Sequence, residues 1–266
     1  AGQLVLYRNG IGLLFLLPGL FIKPPVQVGG KLLRLVFRGC MGATALYTLL
    51  YCILHIPLGT AMSYNLTSTL FIAVFSWMVF GEHHGRAVAF AVILGFAGML
   101  LIYKPVMHLP WYYHVAGLIS GISSAIAYMT VNRLAKFYDP RIIVLSFLSA
   151  GFIIPIITMV LHYGFGLQAD GLFIIDFRAP QGIEWFWILL MGISALLGQY
   201  FVTRSYGADK AGIVSVFGYA NIIYSVFIGL LLNDPFPDWF SWAGIFCIIG
   251  SGVIIALKKG KQKIVS

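Results

Sequence analysis

Long apolar runs, separated by short polar or glycine- and proline-rich links, set the frame of this chain. About 20 mostly apolar residues cross a hydrocarbon core roughly 30 Å thick. On that scale the runs predict nine membrane-spanning helices: residues 2–22, 35–55, 59–80, 86–103, 113–132, 142–163, 184–203, 212–232 and 238–257. They are continuous runs, not the alternating segments of about ten residues found in membrane β-barrels. The fold class expected is an all-α integral membrane protein.

Polar positions are spread unevenly through these spans. The third is the most polar of the first half, with Thr60, Ser63 and Thr67 on one stripe and Tyr64, Ser68 and Phe71 on the next. The eighth carries Ser215, Tyr219, Asn221, Tyr224 and Ser225. Tyr47 and Tyr51 are four residues apart and share one face of the second span, and Gln199 and Tyr200 lie in the seventh. Hydroxyls inside a span usually bond back to their own helix or to a neighbouring one. Their concentration in one span is what points to a polar cavity. Small residues mark close-approach faces: Gly39, Gly42 and Ala43; Gly95 and Gly98; and Gly117, Gly121 and Ala125.

Composition sharpens this. The chain is 60% hydrophobic and 9% charged, with mean hydropathy +0.94, against roughly 25% charged in soluble domains. Residue 1 is Ala, so the chain reads as trimmed at its start. The first span contains Arg8 and has no cleavage signature, so it does not read as a signal peptide. Cys40, Cys52 and Cys247 fall inside apolar spans and read as packed thiols.

The net charge of +9 is a topology signal. If the spans alternate, all Lys and Arg except Arg8, Lys104 and Arg178 lie on one side. The positive-inside rule makes that side cytoplasmic, with the C-terminus inside. No basic patch interleaved with aromatics is present, so nucleic acid is not an expected partner. His83 and His84 beside Glu82 are adjacent residues of a short turn and do not converge on one ion, so no metal is expected. No cofactor motif is present. Arg8 lies one to two turns inside its span, where an ionisable group either pairs or faces a water-filled cavity, or snorkels to the outer interface.

A shift of 152 residues lays span three on span eight and span four on span nine. Ser63 then meets Ser215, Thr67 meets Tyr219, Glu82 meets Asp234, Gly98 meets Gly250 and Tyr47 meets Gln199. Spans two to four pair with seven to nine, and span one with six. A repeat of five spans is odd-numbered, so its copies must run in opposite orientations, the arrangement typical of secondary transporters.

With these pieces assembled, the chain resembles the EamA family of the drug/metabolite transporter superfamily. The matching segments are Arg38–Gly39, Ile56–Ala61, the span ending at Phe80–Glu82, and the end of the first repeat running to Pro105. The resemblance implies ten spans in an inverted 5+5 layout, of which nine are present and the first helix is absent. It also implies repeats at 1–105 and 106–266. Where the family commonly has a proline, this chain has Ser68, with Ala220 as its counterpart, so neither helix is expected to kink there. Asp234 followed by Pro235 stands where the second repeat would carry the acid matching Glu82.

The function expected is secondary transport of a small organic metabolite, such as an amino acid or related compound, across the cytoplasmic membrane by alternating access. The substrate-binding residues expected are Arg8, Tyr47, Tyr51, Ser63, Tyr64, Thr67, Gln199, Ser215, Tyr219 and Asn221. Arg8 suits a carboxylate or phosphate. No Asp or Glu lies deep in a span, which favours facilitated diffusion or exchange. The partners expected are the solute and the lipid bilayer, and a homodimer is allowed. The alternative is an integral membrane enzyme acting on lipid-soluble precursors. That enzyme would need His, Asp or Glu converging at one membrane depth, and His55, His114 and His162 sit at the ends of different spans.

Overall fold

The computed structural model describes residues 1–26, 28–56, 58–80, 85–103, 110–165, 177–220, 224 and 238–264. Within them the regular structure is α-helical, as the unbroken apolar runs require. The helices are α1 (Gly2–Ile22), α2 (Leu32–His55), α3 (Leu58–Leu66), α4 (Ser68–Phe80), α5 (Arg86–Tyr103), α6 (Trp111–Leu134), α7 (Pro140–Phe165), α8 (Glu184–Ala208), α9 (Ala211–Phe217) and α10 (Trp239–Ile264). Of these, α1, α2, α6, α7 and α8 are each long and apolar enough to cross a membrane, and α5 and α10 contain shorter apolar stretches.

The expectation of an unkinked third span is corrected. The helix breaks at Thr67, separating α3 from α4. No proline is needed. The Thr67 hydroxyl donates to the Tyr64 carbonyl at 2.5 Å, and the Thr67 N–H bonds to the same carbonyl at 3.1 Å. That side-chain bond takes up the carbonyl from within the chain and competes with the regular helical ladder. The eighth span is also interrupted. Helix α9 ends at Phe217, and Gly218 and Tyr219 form a turn whose N–H groups bond the carbonyls three residues back, at 3.0 and 3.1 Å.

The chain divides into two compact units. The first comprises residues 1–55 and 126–208, and the second residues 56–125 and 209–266. In the first, α7 is the central element, with α1 and α2 packed on it and α8 on α1 and α7. Glycines bring these helices together: a Cβ on Gly12 would press on Leu148 at 3.0 Å, and one on Gly42 would meet the Phe147 ring at 2.7 Å. Leu16, Val144, Phe147 and Leu148 form the apolar centre. The link between α1 and α2 is pinned by Gly29 N–H to the Phe137 carbonyl at 2.9 Å and by Lys31 N–H to the Tyr138 hydroxyl at 3.0 Å. Gly29 and Gly30 have φ of 72° and 82°, which glycine adopts without steric cost.

Asp139 caps α7, accepting the Arg141 N–H at 2.8 Å and the Arg141 guanidinium at 3.1 Å on both carboxylate oxygens. The same guanidinium reaches the Lys23 carbonyl at 2.8 Å and so ties the end of α1 to the start of α7.

In the second unit α5 and α10 make the most extensive pairing. It is possible because Gly98 and Gly244 face each other: a Cβ on either would lie 2.5–2.6 Å from the other's carbonyl oxygen. The core is Ala91, Val92, Met99, Val216, Tyr219 and Ile248. Large apolar side chains on the outer faces, such as Leu14, Met78, Trp187 and Phe246, are exposed, as lipid-facing surfaces of membrane helices are.

Candidate functional site

The second unit collects polar side chains around the break at Thr67. The Tyr64 hydroxyl contacts His114 Nδ1 on α6, and the two rings meet edge-on at 5.8 Å. Asn65 donates to the hydroxyls of Ser120 at 3.2 Å and Ser124 at 3.3 Å, both on α6. Gly117 and Gly121 make this approach possible, because a Cβ on Gly121 would sit 2.8 Å from the Tyr64 carbonyl and one on Gly117 would meet the Tyr64 side chain. The expected close-approach face of this helix is therefore used, with Ala125 fully buried. Ser63 lies in α3 one residue before Tyr64.

Ser215 and Tyr219 sit at the second break. Thr69, at the start of α4, donates its hydroxyl to the Ser215 carbonyl at 3.4 Å and neighbours Tyr219. The ends of the two broken spans are therefore in contact. Tyr219 is 0% exposed, and a Cβ on Gly95 would press on its ring at 2.6 Å. Asn221, Glu82, His83, His84 and Asp234 lie outside the described residues.

In the first unit Tyr47 is buried and Tyr51 half-buried on α2, where the Tyr51 ring packs on His55 at 4.4 Å. Gln199 on α8 donates to the Thr203 hydroxyl at 3.4 Å. Arg8 on α1 lies over the Phe147 ring, 5.6 Å from its centroid.

Sequence reasoning missed the residue that meets it there. The charge pattern puts Arg38 among the cytoplasmic charges, but it is 1% exposed and lies over the same ring at 5.1 Å. The cause is the helix boundary: α2 begins at Leu32 rather than residue 35, which draws Arg38 nearly two turns into the helix. The neighbouring Gly39 and Gly42 were the available signal. A Cβ on Gly42 would lie 3.3 Å from Arg38 Nη1, so the glycine keeps space for the guanidinium. Asn9, also missed, is 0% exposed and lies against Gly151 on α7.

Comparison with known proteins agrees with this architecture. Residues 2–104 match the model of the EamA-like transporter family. The chain is 31% identical over 237 residues to an uncharacterized transporter of Helicobacter pylori, covering 89% of this chain and 76% of that protein. It is 31% identical over 268 residues to the pseudopaline exporter CntI of Pseudomonas aeruginosa, covering 98% of this chain and 88% of the exporter. A solved crystal structure superposes with a TM-score of 0.77 at 15% identity, covering 96% of this chain and 88% of that one, and so shares the fold. The chain belongs to the EamA-like transporter family. It is a multi-pass membrane transporter rather than an enzyme.

Proposed function

We propose that this protein is a secondary transporter, an exporter or exchanger, that moves a small organic metabolite across the cytoplasmic membrane by alternating access. The observation that carries the reading is the pair of helix breaks at Thr67 and at Gly218–Tyr219. Interrupted backbone at membrane depth is tolerated only where it is buried in protein or lines a water-filled cavity, and secondary transporters use discontinuous helices to build their sites. Here hydroxyls and tyrosines gather at both breaks, with the Asn65 amide at the first.

The inverted 5+5 repeat, with halves at 1–105 and 106–266, is part of this proposal. It is supported by the register of the two breaks, since Thr67 and Tyr219 are matched by the 152-residue shift. The name of the Pseudomonas aeruginosa relative, a pseudopaline exporter, supports outward movement of an organic solute. Lysine and arginine placement supports a cytoplasmic C-terminus. The substrate-contacting set proposed is Arg8, Tyr47, Tyr51, Ser63, Tyr64, Thr67, Gln199, Ser215, Tyr219 and Asn221.

The test is efflux from proteoliposomes containing the full chain and loaded with a panel of radiolabelled metabolites, with and without a pH gradient. Saturable flux above protein-free vesicles is expected for at least one solute. Equal flux with and without the gradient supports facilitated exchange, and no flux above the blank for the whole panel counts against the reading.

A further inference from the structure

Two guanidinium groups in the first unit have no counter-charge among the described residues. Arg38 is 1% exposed, and its Nε and Nη1 have no hydrogen-bond partner. Arg8 Nη1 is likewise buried without one. Both cations share the Phe147 ring, at 5.1 and 5.6 Å from its centroid. Among the described residues, Tyr128 is the titratable neighbour that acts electrostatically on each of them. The described acids of this unit are engaged elsewhere, Asp139 with Arg141 and Glu184 with the Gln181 N–H. One turn along α7 from Phe147, Gly151 makes room for Asn9, whose amide has neither its donor nor its acceptor satisfied.

A guanidinium does not give up its proton in a protein. Burying an ion without a partner is strongly unfavourable, and a second like charge on the same ring adds repulsion that a low dielectric strengthens. Cation–π contact offsets only part of this. Packing alone gives no reason to hold two such cations on one ring.

We infer that Arg8 and Arg38, with the Asn9 amide beside them, bind the anionic part of the transported solute. The site takes a small organic solute carrying at least two ionised carboxylates, or a phosphate dianion. Each guanidinium fork can grip a carboxylate or phosphate in bidentate fashion. Two forks match two negative charges, whereas a zwitterion with one carboxylate leaves a cation uncompensated. This inference rests on the transporter reading and narrows its substrate class away from ordinary neutral amino acids.

The test uses the full chain, in detergent and in phosphatidylcholine vesicles. The probes are citrate, succinate, inorganic phosphate and the neutral trimethyl ester of citrate, read by calorimetric binding and by thermal unfolding. At least one di- or trianion is expected to bind and raise Tm, and the ester is not. Arg8→Gln and Arg38→Lys are each expected to weaken anion binding about tenfold to a hundredfold. Arg38→Met, which removes the charge but keeps the bulk, is expected to raise the Tm of the ligand-free protein while abolishing the anion-induced shift. A structural arginine pair would give the opposite pattern: no probe binds, and Arg38→Met lowers the ligand-free Tm.

A second arm adds phosphatidylglycerol to the vesicles. Stabilisation through Arg38 by that lipid alone, with no free anion bound, overturns the solute assignment in favour of a lipid headgroup. The two levels of the account fail separately. Saturable flux of a neutral solute unaffected by Arg8→Gln sinks the anion site and leaves the transporter. Anions that bind but never cross leave the site and sink the transporter.

Discussion

Thr67 and Tyr219 hold the same station in two interrupted helices: each donates its backbone N–H to the carbonyl three residues back, at 3.1 Å. In a regular α-helix the partner is four residues back, so each marks a tightened last turn. They differ in what holds the turn. At Thr67 a side-chain hydroxyl occupies the Tyr64 carbonyl; at Tyr219 the turn follows Gly218, and the ring is locked among Ala91, Val92 and Met99.

If the hydroxyl maintains the first break, Thr67→Val should let α3 and α4 approach a continuous helix while the protein still folds. Solute flux in proteoliposomes is expected to fall about tenfold, the effect of losing one hydrogen bond of roughly 1.4 kcal/mol, and Thr67→Ser should restore most of it. Wild-type flux in Thr67→Val would separate the break from transport.

Gly98 and Gly244 leave no space for side chains between α5 and α10. Gly98→Val is expected to cost about 1–3 kcal/mol through overpacking, read as a lowered unfolding temperature in detergent. Gly19→Ala is the control, since nothing lies within 4 Å of a Cβ there. It should leave the unfolding temperature unchanged or slightly raised, since alanine favours a helix over glycine.

Asp139 gives a pH signature. Burial pushes its carboxyl up, but the hydrogen bonds and charge of Arg141 outweigh this and hold it below the usual 3.8. A depressed folded-state pKa contributes stability that is fully present above the unfolded value and is lost as pH falls through the folded one. The stability difference between wild type and Asp139→Asn should therefore be constant near neutral pH and shrink below about pH 4. A difference that grows on acidification would contradict the pairing.

How far the chain could be read from its letters depended on the kind of signal. Helix positions followed from apolar runs because the bilayer imposes a length, and α1 matches its predicted limits of 2–22. Glycine spacing correctly marked the face of α6 that meets α3, because close approach admits few other residues. The break at Thr67 was hidden because a helix interruption was sought in proline, whereas a threonine hydroxyl achieves it through one local bond. Arg38 was hidden for a different reason. A charge three residues inside a predicted boundary reads as interfacial, and only the longer α2 and its contact with Phe147 on α7, distant in sequence, bury it. Asn9 gives no sequence signal, since its burial comes from Gly151 on another helix.

The most direct test of the account is counterflow in proteoliposomes: the wild-type chain is loaded with unlabelled citrate, succinate or other metabolites and challenged with the same labelled solute outside. The account predicts a transient, saturable accumulation of label for at least one solute, reduced in Thr67→Val and in Tyr219→Ala. Label entry that never exceeds equilibrium, rises linearly with concentration and is the same in both variants would contradict alternating access by these broken helices.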